Sequence, residues 1–185
     1  MYDDVIEAFR RRVAQDVLRL RDESTSLRLV ADPMSGDPPS RFHGLLMGVE
    51  HFERAADGGI RASGSAVPFS FDFPADYCSC SDGSLQLRVA RVRGPMLHPN
   101  VGPAGVVCFG PRFRPGTRLR PLLEHFHRIC SGRVFASENA FDPIAADFFR
   151  RNPERVHSLR ALPLWRAPVA GSVRVEAAGR DGGLK

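Results

Sequence analysis

Lysine is all but missing from this chain. Lys185 is the only one in 185 residues, so the net charge of +5 is carried by arginine. A GC-rich gene produces that bias without any functional cause. The arginines are scattered and no stripe of aromatic residues alternates with them, which argues against a nucleic-acid surface. No apolar run approaches the roughly 20 residues that cross a bilayer, so no membrane partner is expected. The first residues, Met1-Tyr2-Asp3-Asp4, are acidic where a secretory leader is basic and then apolar. Four cysteines at irregular spacing make no disulfide framework. A reducing, cytoplasmic setting is therefore expected. Cys78 and Cys80 form one close pair without the second pair that a structural zinc needs, and no cofactor motif is present. Neither a metal nor a cofactor is expected.

The residues that are present organise one domain. Residues 3–22 repeat apolar side chains at helical spacing, with Val5, Ile6, Phe9, Val13, Val17 and Leu20 on one stripe. Arg10, Arg11 and Arg12 sit together on this helix; a solvated face is the plain reading, and a contact to an acidic partner the second. Leu27–Val30 alternates as a strand, and Asp32–Pro39 reads as a turn. Phe42–Phe52 is apolar and extended, weakened by Gly44 and Gly48. Arg54–Ala66 reads as a hairpin connection. Phe69, Phe71 and Phe73 alternate with polar residues, and Leu85, Leu87 and Val89 predict a fourth strand.

Helical signals follow. Thr117 is placed to cap a helix whose buried stripe is Leu119, Leu122, Leu123, Phe126, Ile129 and Cys130, ending at Gly132. Asp142-Pro143 and Asn152-Pro153 each pair a cap with proline at the first helical position, the second helix running to about Leu162. The predicted class is α+β: a four-stranded antiparallel meander with an N-terminal helix and C-terminal helices. Residues 1–162 are predicted as the domain, and 163–185, with a lone Trp165, as a flexible tail.

One stretch stands apart. In Leu97–Pro111 (LHPNVGPAGVVCFGP), Cys108 lies on a short apolar run pinned by Gly102-Pro103 and Gly105 before it and Gly110-Pro111 after it. Pro99 moves His98 off the helical region, so this is irregular backbone. A stub too short for a core strand, held by turns, fixes a side chain at the surface, as a nucleophile requires. Asn100 lies close enough in the chain to brace the loop or donate to an oxyanion.

His98-Pro99-Asn100-Val101, then Gly105-Val106-Val107-Cys108, resembles the active-site signature of the ubiquitin-conjugating enzymes. Phe73-Pro74-Ala75-Asp76-Tyr77 is similar to that family's F-P-x-D-Y turn, and Asp142-Pro143-Ile144-Ala145 to its D-P-L-V segment. Together these segments extend the resemblance over roughly residues 3–160, most of the chain. The resemblance implies a transferase that accepts a ubiquitin-like modifier as a thioester on Cys108 from an activating enzyme and passes it to a substrate amine. It implies that Asn100 supports the oxyanion or the loop, that Asp142 orients the acceptor lysine, and that the basic first helix docks the activating enzyme. His98 reads as a structural residue of the loop. Asp142 also reads simply as a helix cap, and the two roles are compatible.

Departures are equally specific. Cys78-Ser79-Cys80-Ser81 replaces the family's Pro-Phe and following prolines, and the usual tryptophan after the cysteine is missing. Only Pro115 is similar to the second ligase-contact loop. These departures describe a divergent member for which a RING ligase is doubtful, and the arginine-rich, lysine-poor chain points to a bacterial conjugation system. A chain that delivers acyl groups to lysine also gains from having almost none of its own. Two other readings remain: a non-catalytic modifier-binding module of the same fold, and a cysteine isopeptidase using Cys108, His98 and Asp142.

Overall fold

The computed structural model describes residues 2–64, 66–80, 84–110, 113–136 and 138–167. The opening periodicity becomes a helix, α1 (Tyr2–Glu23), with Asp3 and Asp4 at its positive end and Arg21 in its last turn, both favourable to the helix dipole. Ile6, Val13, Val17 and Leu20 are buried and Phe9 packs against the core, whereas Val5, expected on the same stripe, is exposed.

Six strands follow: β1 (Leu27–Ala31), β2 (Arg41–Leu46), β3 (His51–Arg54), β4 (Ile60–Ser63), β5 (Val67–Asp72) and β6 (Ala90–Val92). The main sheet has the order β1-β2-β5-β6, antiparallel throughout. The expected four-stranded sheet is present, with a separate β3–β4 hairpin inserted between its second and third members. The long extended run expected at 42–52 is split because Gly48 adopts φ +66°, a left-handed turn packed against Leu162. Gly44 does not weaken its strand in the way the sequence suggests. It pairs with Phe69, whose ring occupies the space a Cβ would take, 2.2 Å from that position. The expected connection at 54–66 is itself paired, forming β4. The fourth strand starts at Ala90 rather than Leu85, since residues 84–87 form a 3-10 turn that buries Leu85.

Three helices complete the chain: α2 (Leu119–Cys130), α3 (Pro143–Arg151) and α4 (Pro153–His157). The α2 stripe is buried as read from sequence. Arg118, not Thr117, stands at its N-cap; Thr117 donates its hydroxyl to Arg114 O instead. Helix α4 stops at His157, well short of Leu162. Beyond it Arg160 N–H donates to the Glu50 carboxylate and Ala161 bridges Val49, so the chain leaves helical geometry to pair with the turn at Gly48. The packed body also passes the expected boundary at 162. Leu164 is buried, Thr25 N–H donates to Leu164 O, and Trp165 Nε1–H donates to Glu124. The rest of the expected tail, residues 168–185, lies outside the described residues.

Two apolar cores result. The larger joins α1, α2 and the sheet through Phe42, Phe69, Phe71, Phe73 and Phe126. Each such ring contributes on the order of 2–3 kcal/mol by burial. The smaller contains Phe52, Leu97, Ala145, Phe149, Val156 and Leu159. The loop that carries Cys108 crosses between them, with Leu97 in the smaller and Val101, Val107 and Phe109 in the larger.

Candidate functional site

The Cys108 loop is fastened to the sheet edge. Val107 N–H donates to Ala90 O at 3.1 Å, and Val101 and Val107 bridge each other across the turn. Gly105 has φ +73°, and a Cβ there would lie 1.9 Å from Val92 O. Glycine is required by this close crossing, which explains the turn formers flanking the cysteine.

Asn100 is the clamp. Its carbonyl accepts Cys108 N–H at 2.8 Å, and its side-chain Nδ2 donates to Cys108 O at 2.8 Å. Its Oδ1 accepts Ala136 N–H at 2.8 Å from the segment beyond α2. The cysteine backbone is thus held at both ends by one buried residue. Loop support is what this side chain does here.

His98 is buried, and its Nδ1 accepts Asn100 N–H at 3.0 Å. That fixes the Nε2–H tautomer, and among the described residues Nε2 has no hydrogen-bond partner. Burial depresses the imidazole pKa to about 3, so the ring is neutral at physiological pH. It packs perpendicular to Phe149, at 5.0 Å between centroids. This geometry is that of a structural residue, not of a base paired with a thiol.

Cys108 itself is partly exposed. An open groove of about 470 Å³ lies beside it, bordered by Asn100, Phe109, Gly110, His125, Arg128 and Phe135. Phe109 anchors the loop by stacking on Phe113 and facing Phe71. His125 Nε2–H donates to Phe109 O at 3.0 Å, and burial, aided by Arg128, lowers its pKa. Neither His125 nor Arg128 is distinguishable in the sequence, where both fall on the polar side of α2.

Asp142 caps α3, its Oδ1 accepting Ala145 N–H at 2.9 Å. Its Oδ2 lies 3.6 Å from the guanidinium of Arg54 on the β3–β4 hairpin. The segment leading into it is strapped to the turn at His98–Asn100, because Phe141 N–H donates to Pro99 O at 2.8 Å. The capping expectation is met, and Arg54 is a neighbour that local sequence gives no reason to expect.

The three arginines of α1 separate. Arg10 is partly buried, with Nε and Nη2 both donating to Phe73 O at 3.0 and 2.6 Å. Arg11 is exposed and pairs with Glu7. Arg12 lines a shallow groove with Phe9, Cys78 and Gly116. Among the described residues no group of three or more His, Cys, Asp or Glu side chains converges as a metal site. No described helix is long and apolar enough to cross a membrane. No protein-family model matches this sequence, and no curated protein matches it at a significant level.

Proposed function

We propose that the protein is a ubiquitin-conjugating-like acyltransferase that carries a small modifier protein as a thioester on Cys108. The observation that supports this most directly is the presentation of the cysteine. Its backbone is fixed by Asn100 at both ends, the residue is partly exposed, and its neighbours Asn100, Phe109 and Gly110 border an open groove.

The chemistry asks little more of the loading step. A thiolate attacks the thioester carbonyl on an activating enzyme, and the enzyme's own thiolate departs, so the exchange is close to thermoneutral. Sulfur is nucleophilic enough without an adjacent base. Among the described residues Cys108 has no histidine partner, which suits exchange and disfavours the isopeptidase reading. The second step needs an amine freed of its proton and held at the carbonyl. Asp142, on the segment strapped to the Cys108 loop, is the acid proposed for that task. A reducing compartment keeps the sulfur available. Ser79 stands where the family has its ligase-contacting Phe, and of the second contact loop only Pro115 is kept, so transfer proceeds without a RING ligase or with an unusual one.

The test is charging of the purified protein with a cognate activating enzyme, modifier and ATP. A reductant-sensitive adduct is expected, converted to a reductant-stable ester in Cys108→Ser and abolished in Cys108→Ala. Absence of any adduct with a cognate set proven active on another carrier rejects the proposal.

A further inference from the structure

A protein joined to Cys108 through its C-terminal carbonyl must leave the sulfur as an extended chain along the surface. One groove is bordered both by residues next to the cysteine, Asn100, Phe109 and Gly110, and by His125 and Arg128 of α2 together with Phe135. Its walls are largely apolar, and Phe135 is exposed in it. Its electrostatics are one-sided. Arg128 is exposed and, among the described residues, has no carboxylate partner, whereas nearly every other arginine on the helices is paired or donates to a carbonyl. His125 beside it is held toward the neutral form by burial. Among the described residues that border the groove, Arg128 is the one permanent cation, and it sets the charge preference there.

We infer that Arg128 selects a modifier whose C-terminal tail carries an acidic side chain a few residues before its terminal glycine. This rests on the proposed function, since it takes Cys108 to be the acyl acceptor. A tail carrying arginine at that place would meet a like charge; one carrying glutamate would meet the opposite charge at the exposed guanidinium.

Short peptide thioesters test this without an activating enzyme. Peptides ending in glycine as the thioester of a small thiol are prepared with Glu, Gln or Arg at each upstream position in turn. The Cys108 thiolate attacks the terminal carbonyl carbon. A new C–S bond forms, the bond to the small thiol breaks, and that thiol leaves as a thiolate and recovers a proton from solvent. Acylation rates are read by intact mass spectrometry on the full chain, with peptide mapping to localise the adduct and Cys108→Ala as control.

At one upstream position, Glu is expected to react about threefold to fivefold faster than Gln, as fits an exposed pair, and Arg slower than both. Rising salt should shrink the difference. Arg128→Gln should flatten the series and Arg128→Glu invert it. Equal rates for all peptides on the unaltered protein, or a preference unchanged in Arg128→Gln, overturns the inference while leaving Cys108 as carrier. No acylation of Cys108 by any peptide overturns both.

Discussion

Asp142 divides its two oxygens between two tasks: Oδ1 accepts the Ala145 N–H at 2.9 Å, and Oδ2 faces the Arg54 guanidinium at 3.6 Å. The first is a folding contact. The second places a permanent cation where the proposed mechanism would bring a lysine ammonium. The two tasks can be separated because asparagine caps a helix about as well as aspartate.

Asp142→Asn should thus leave thermal stability nearly unchanged, while Asp142→Ala should cost about 1 kcal/mol. If the carboxylate orients the acceptor, Asp142→Asn slows discharge of the Cys108 thioester onto free lysine without affecting loading. Arg54→Gln should speed that discharge by about twofold to fivefold, the range of an exposed pair. Discharge is followed as loss of the thioester after charging is stopped. An unchanged rate in both variants would leave Asp142 as a cap and nothing more.

Asn100 makes two side-chain hydrogen bonds to backbone groups on either side of the site. At roughly 1 kcal/mol each, with a further cost for buried groups left unpaired, Asn100→Ala should destabilise by about 2–3 kcal/mol. Urea unfolding measures this. Loading at a temperature where the variant is still folded should also fall, since the loop that presents Cys108 loses its clamp. Loss of loading with no loss of stability would instead favour the oxyanion role.

Acid should destabilise the protein well before its carboxylates titrate. His98 has a folded pKa of about 3 against about 6.5 for the unfolded chain. Between those values the unfolded state binds the extra proton, so stability is full above about pH 6.5 and falls toward pH 3. His98 alone accounts for about 2 kcal/mol between roughly pH 7.5 and pH 5. His125 and His127 are shifted in the same direction by burial and act with the same sign. Denaturant midpoints across this range should slope, and His98→Gln should reduce the slope. A flat profile would mean that the ring is not buried as described.

Thiol accessibility should sort the cysteines. Cys130 is buried on α2 and burial raises its thiol pKa, whereas Cys108 is partly exposed. Iodoacetamide on the native protein should modify Cys108 and spare Cys130 until denaturant is added. Cys78 should lag behind Cys108, because burial also raises its pKa. Protection of Cys108 equal to that of Cys130 would contradict an open site.

Local pattern made most of this fold legible. The α1 stripe, the Phe69–Phe73 alternation and the Asp142-Pro143 start all depend on neighbours in sequence, and they appear nearly where expected. What failed depends on distant contacts. Gly48 breaks its strand because Leu162 packs there, and α4 ends early because Arg160 and Ala161 find partners at Glu50 and Val49. The site follows the same division. Cys108, Asn100 and His98 lie in one short stretch, so their mutual contacts involve near neighbours in sequence. Arg54, His125 and Arg128 join only through the tertiary fold, and on their own elements they look like solvated residues. The bonds from Arg10 to Phe73 O are likewise invisible in a run of three arginines.

Trp165, the sole tryptophan, rests against the Arg120 guanidinium at 4.4 Å and is tethered to Glu124, both on the helix that also carries His125 and Arg128. The protein thereby holds a built-in optical gauge. Any event that lifts the strap at residues 163–167 from α2 should redden and dim the indole emission, without a dye and without altering the reactive loop.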